Sequence, residues 1–198
     1  PAKIESGKKY PLVLTLHGRG GNTTAAGALA SDEMREKYPC FVLAPAVTRQ
    51  QVWAVPSDFR KLPGQQALPV AIAALSKVIK EQPVDADRVY VTGQSMGGFG
   101  SFGAIAANPE LFAAAIPVCG GWTPEDAEKM KSVPIWGFHG DADKTVPVER
   151  SRQMVDAIRK AGGSPKFTEY PGVGHNSWSA TYESPATWEW LFSQQRKP

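Results

Sequence analysis

The chain has 198 residues, 42% of them hydrophobic and 21% charged, ordinary globular usage that excludes a disordered or fibrous polypeptide and suits one domain. Its 22 basic and 19 acidic side chains leave a net +3, scattered without any run of basic residues, so neither nucleic acid nor an anionic membrane is indicated. No apolar stretch approaches the ~20 residues of a membrane helix, and two cysteines cannot build a disulfide scaffold.

Short apolar runs alternate with longer stretches of helical period. Leu12 to Leu16 is an apolar run with β-branched members, followed by Gly18-Arg19-Gly20-Gly21 and by helix formers from Asn22 to Lys37. Phe41 to Ala44 is a second strand, ended by Pro45, and 46–64 reads as a loop holding Trp53, Pro56 and Pro63. From Gln65 to Glu81, Leu68, Ile72, Leu75, Val78 and Ile79 recur at spacings of three and four, which predicts an amphipathic helix with Pro69 in its first turn. Arg88 to Thr92 is the third strand, Met96 to Ala107 a helix stopped by Asn108-Pro109, and Ala113 to Val118 the fourth strand. Pro134 to Phe138 is the fifth, with a helix over Val148 to Lys160 ending at Gly162-Gly163. Lys166 to Tyr170 is the sixth, and Pro185 to Gln195 a closing helix. Such alternation predicts a three-layer α/β sandwich over 1–198, with a mostly parallel sheet of about six strands and helices on both faces.

Cys40 opens one apolar run and Cys119 closes another, so both read as small buried hydrophobes that do not bridge. The chain begins at Pro1 without a recognisable leader. It reads as trimmed, and the compartment, secreted and periplasmic included, is left open. Asn22-Thr23-Thr24 fits a glycosylation acceptor, a signature that usually arises by chance.

In open parallel sheets, chemistry gathers beyond the carboxyl ends of the strands. After the third strand, Gly93-Gln94-Ser95-Met96-Gly97 fits G-x-S-x-G. There a serine on a strained strand-to-helix turn is lifted clear of the backbone and faces the N–H groups of the following helix. The alternative is a glycine-rich turn with a capping serine. Gly98, Gly100 and Gly103 also match G-x-G-x-x-G, but they lie inside a helix and no acidic residue closes a following strand. A close helix–sheet contact, and no dinucleotide, is expected there.

A serine needs a base, and imidazole serves best near neutral pH. The three histidines, His17, His139 and His175, all follow strand ends. His175 lies in a glycine-bearing, flexible loop late in the chain and is read as the base. His17 and His139 are read as ring nitrogens that fix loops by bonding backbone. The imidazolium needs a carboxylate, and Asp141 and Asp143 both stand after the fifth strand, with position leaning only slightly to Asp143. For the oxyanion, one N–H is expected from Met96 and the second from Arg19, or from Gly18 or Gly20 within register error. No G-K-[ST] or H-E-x-x-H spacing occurs, so neither a nucleotide loop nor a metal centre is expected.

At this point the chain resembles the α/β-hydrolases, in particular the small carboxylesterases of the dienelactone hydrolase, feruloyl esterase and prolyl-oligopeptidase-like branch. The resemblance rests on Tyr10 to Leu14 running into His17-Gly18, on 87–98 around Ser95, on Pro134-Ile135-Trp136 to His139-Gly140, on Asp143 ahead of Val146-Pro147, and on Gly174-His175 before Trp178. It implies the triad Ser95, Asp143 and His175, since that branch uses the aspartate three residues before Val-Pro. It also implies an acyl-enzyme, no cofactor, and a small-molecule ester substrate. Arg19 replaces the small residue of many relatives, and little chain precedes the first strand to supply the antiparallel strands they carry.

Trp122 and Trp178 are candidates to contact acyl or alcohol groups, Trp53 is a possible lining residue, and Trp136 is plain core. Without an insertion long enough for a lid, small soluble esters, short-chain or aromatic, are expected over lipid aggregates. A feruloyl or acetylxylan esterase and a prolyl-oligopeptidase-like peptidase are the alternatives. A non-catalytic binding protein is disfavoured because every triad residue is present. Oligomeric state is left open.

Overall fold

The structure is a computed structural model that describes residues 1, 3–21, 24–54, 56 and 64–196. Asn22 and Thr23, which open the first predicted helix and the glycosylation signature, lie outside the described residues, as does 57–63 with Pro63. In chain order the elements are β1 (Tyr10–Leu16), α1 (Thr24–Ala30), α2 (Asp32–Lys37), β2 (Phe41–Leu43), β3 (Gln51–Val52), β4 (Gln65–Gln66), α3 (Leu68–Glu81) and β5 (Val84–Gln94). Then follow α4 (Met96–Ala107), β6 (Ala114–Val118), α5 (Ala127–Met130), β7 (Trp136–Gly140), α6 (Glu149–Lys160), β8 (Lys166–Tyr170), α7 (Trp178–Glu183) and α8 (Pro185–Ser193).

Six strands form one sheet in the order β2-β1-β5-β6-β7-β8, and every pairing in it is parallel. All seven residues of β1 are buried, the signature of a central parallel strand covered on both faces. Side chains alternate along it: Leu12, Leu14 and Leu16 join a core with Leu75, Phe102, Ile105 and Met154 under α3, α4 and α6. Val13 joins the opposite core with Leu29, Ile116, Trp188 and Leu191 under α1 and α8. This is the expected three-layer sandwich. Cys40 and Cys119 are buried free thiols, and burial pushes them up to about 11 and about 12 respectively.

Several boundaries differ from expectation for local reasons. The first predicted helix is two, because Ser31 accepts the Met34 N–H as a new N-cap, followed by Asp32 and Glu33 in the next first turn. Gln65 and Gln66 pair in parallel with Gln51 and Val52, so α3 starts only at Leu68, with Pro69 in its first turn. The third strand is longer than Arg88 to Thr92, because Val84 also pairs with Tyr10 past a register shift. The fifth begins at Trp136, two residues later than expected, since Pro134 contributes its carbonyl to the Ala115 N–H and has no donor of its own.

The glycines of α4 are explained by closeness. A Cβ on Gly97 would lie 1.8 Å from the Leu16 carbonyl oxygen, and one on Gly98 2.3 Å from that of Val118. The helix therefore rests directly on β1 and β6, the close helix–sheet contact expected at Gly98.

Candidate active site

Ser95 joins β5 to α4 with φ 54° and ψ −117°, a left-handed backbone rarely adopted by a residue with a side chain. Its N–H donates to the Val118 carbonyl at 2.9 Å and its carbonyl accepts from Phe99 at 3.0 Å. The hydroxyl makes no capping bond to α4. It meets His175 Nε2 at 2.9 Å instead, which removes the reading of Ser95 as a helix cap.

His175 follows β8. Its Nδ1 lies 2.7 Å from Asp143 Oδ2. A carboxylate only accepts, so Nδ1 carries the proton and Nε2 is free to accept from the serine hydroxyl. The loop is tied to its neighbours at several points. Gly172 N–H donates to Asp141 Oδ1 at 2.7 Å, and Ala142 N–H to the Val173 carbonyl at 3.0 Å. The loop also lies against the end of β7, where a Cβ on Gly140 would be 2.1 Å from the Val173 oxygen. The two aspartates thus divide: Asp141 ties down the histidine loop and Asp143 reaches the imidazole.

The Asp143 side chain is wholly buried. Its Oδ1 accepts the N–H groups of Thr145 at 2.8 Å and Val146 at 2.9 Å. Burial alone would raise its pKa, but the bonds from His175, Val146 and Thr145 outweigh that and hold the carboxyl below its ordinary range.

The loop after β1 faces the same place. A Cβ on Gly18 would lie 3.6 Å from Ser95 Cβ. Arg19 and Met96 line one cavity of about 260 Å³, together with His17, Val47 and Thr48. First-turn N–H groups of a helix such as α4 have no intrahelical acceptor. His17 behaves as the sequence suggests: Nδ1 donates to the Gly18 carbonyl at 2.7 Å, and Nε2 accepts from Val47 N–H at 3.0 Å. Trp53 is fully buried and donates to the His17 carbonyl at 2.8 Å, so it braces that loop from below.

Trp178 stands edge-on to His175 with ring centroids 5.4 Å apart. Trp122 is half-buried; its Nε1 donates to Asp126 Oδ2 at 2.9 Å, and its ring packs on Gly103 of α4. Trp136, read as plain core, sits at the core's edge, bonding Thr168 Oγ1 at 3.0 Å and meeting the Trp190 ring. Larger cavities, of about 410 and 660 Å³, are lined by residues such as Tyr10 and Phe112 before the amino ends of the strands, and by none of these groups.

Among the described residues, Cys119, Asp143 and His175 bring potential metal-ligand atoms within 4.8 Å of one another. Both Asp143 oxygens are already occupied by N–H donors, and burial keeps the Cys119 thiol protonated. The set is arranged for proton transfer more than for a cation. Sequence reasoning missed that His139 also touches Asp143, with Nε2 and Oδ2 3.2 Å apart. The only available signal was its position four residues ahead, at the end of the same strand.

Residues 9–187 match the dienelactone hydrolase family. A probable carboxylesterase SOBER1-like of Arabidopsis thaliana is 28% identical over 188 residues, covering 83% of this chain and 72% of that protein. The solved structure of a thermostable esterase superposes with a TM-score of 0.92 at 38% identity, over 99% of this chain. This chain spans 58% of that one's length. A ferulic acid esterase structure, 20% identical with a TM-score of 0.69 over 95% of this chain and 88% of its own, shares the fold. The chain belongs to the dienelactone hydrolase family, with the α/β-hydrolase fold that its motifs led one to expect.

Proposed function

We propose that the chain is a serine carboxylesterase acting on small soluble esters. The observation that carries this reading is the continuous line Asp143–His175–Ser95, with contacts of 2.7 and 2.9 Å, ending on a hydroxyl held by a strained turn. Ser95 Oγ attacks the ester carbonyl while its proton passes to His175 Nε2. Asp143 stabilises the imidazolium, and the N–H groups of Met96 and Arg19 receive the oxyanion. Collapse expels the alcohol with the proton from His175 and leaves an acyl group on Ser95. Water, deprotonated by the same imidazole, then releases the acid.

The cavity of about 260 Å³ beside Met96 suits a short chain, and the Trp178 ring beside His175 suits an aromatic acyl or alcohol group. A fluorophosphonate probe tests the reading. It is expected to label Ser95, and Ser95→Ala and His175→Ala are expected to abolish both labelling and hydrolysis of p-nitrophenyl acetate. Labelling at another residue would refute the assignment. In a p-nitrophenyl ester series, a preference for long acyl chains would defeat the small-ester part alone.

A further inference from the structure

His139, at the end of β7, is 0% exposed, yet each ring nitrogen is engaged. Nε2 lies 2.9 Å from the Val146 carbonyl oxygen and 3.2 Å from Asp143 Oδ2. Both are acceptors, so Nε2 carries a proton. Nδ1 lies 2.7 Å from Ser151 Oγ on α6, which is itself 2.9 Å from the Gly120 carbonyl. Two imidazoles therefore converge on one carboxylate oxygen, that of His175 at 2.7 Å and that of His139 at 3.2 Å.

We propose that His139 is a positioning residue for the acid of the triad. Its Nε2–H holds the Asp143 carboxylate turned toward His175 and shares the oxygen that His175 uses. This rests on the esterase reading of Ser95, Asp143 and His175. The geometry has two consequences. With Oδ1 on the Thr145 and Val146 N–H groups and Oδ2 between two imidazoles, the carboxyl plane has one orientation, which in turn fixes the ring that meets Ser95. A second donor on Oδ2 also disperses its negative charge, so Asp143 draws less strongly on the His175 proton than it would alone.

Among the described residues, three further titratable groups stand close to this pair. Just past β6, Cys119 brings a protonated thiol. From β8, Glu169, paired with His139 across the strands, is held by Arg152 of α6 at 2.9 Å. Within the loop, Asp141 is committed to the Gly172 N–H. None competes for the Asp143 oxygens. Burial first, against the Val146 and Asp143 bonds, lowers the His139 pKa. The ring is then neutral, with its proton on Nε2, where both neighbouring oxygens accept.

His139→Asn keeps the reach to Ser151 but loses the donor to Asp143, whereas His139→Gln extends an amide N–H to the same oxygen. H139N is expected to lower kcat by on the order of tenfold to a hundredfold with KM little changed, and to move the acid limb of the kcat/KM profile to higher pH. H139Q is expected to recover most of the lost kcat and the wild-type limb. Titrating the active sites with the fluorophosphonate normalises each rate to folded enzyme. If wild-type protein fails to label at Ser95, the esterase reading falls and this inference with it. If wild type labels but H139N shows the same kcat and acid limb, only the role of His139 is overturned. Should H139N not fold, nitrogen NMR of the three histidines in wild type decides. The His139 Nε2 signal is expected to move as His175 titrates, and a signal that stays still overturns the proposal.

Discussion

Asp141 and Asp143 stand two positions apart, and hydrogen bonding alone separates them. Asp143 is fixed by Thr145, Val146 and His175, while Asp141 holds the Gly172 N–H. Asp143→Asn would put an amide against His175 and favour the wrong tautomer, so kcat is expected to fall by about four orders of magnitude. Asp141→Ala loosens the histidine loop without touching the imidazole, and a loss of about tenfold or less is expected, with stability lower by about 1 kcal/mol. Steady-state kinetics on p-nitrophenyl acetate and urea unfolding distinguish them. Equal losses of activity would contradict this division. The motif and strand-end position singled out Ser95 and His175 in the sequence. Between two aspartates in one loop they leaned only slightly to Asp143, because which one reaches inward depends on the turn that follows. Family resemblance pointed to Asp143, and the only pointer from His139 to it was a spacing of four residues, too common a pattern to single out a contact.

At the scale of elements, α4 is a poor helix by propensity, with glycine at four of its twelve positions. Packing overrides propensity because the helix lies against backbone. Gly97→Ala would drive a Cβ to 1.8 Å from the Leu16 oxygen, so stability is expected to fall by about 3 kcal/mol or more, with activity lost as the turn at Ser95 shifts. Thermal unfolding checks it. An unchanged Tm would mean the helix can lift freely from β1. Long periodic elements such as α3, and the apolar strand β1, were legible from side-chain spacing. The break at Ser31, the short α5 and α7, and the β3–β4 pair were not. Each is too short to show a period and owes its form to a local cap or a remote partner.

For the whole molecule, acid stability follows from groups already named. His139 is neutral when folded because burial lowers its pKa, so the unfolded chain binds a proton that the folded one refuses. Stability is expected to decline as pH falls below about 6.5, the ordinary histidine value. Asp143 is held below the usual carboxylate range. Its contribution is complete at neutral pH and is lost as pH falls through about 4 and below. Urea midpoints between pH 8 and 3 should therefore drop in two stages, and a flat profile from pH 7 to 5 would show that His139 is not the buried neutral ring described.

The sequence by itself determined which segments become strand or helix and which of them end in chemistry-bearing residues, because periodicity and turn residues act over a few positions. Tertiary structure decided who meets whom. The chain leaves β1 for β2 and then crosses back to β5, so the reversal falls between β1 and β5, where the Gly18 loop and Ser95 come together. The order β5-β6-β7-β8 then brings Asp143 and His175 in from the far side. Strand order depends on long-range pairing and crossover geometry, which no local pattern encodes.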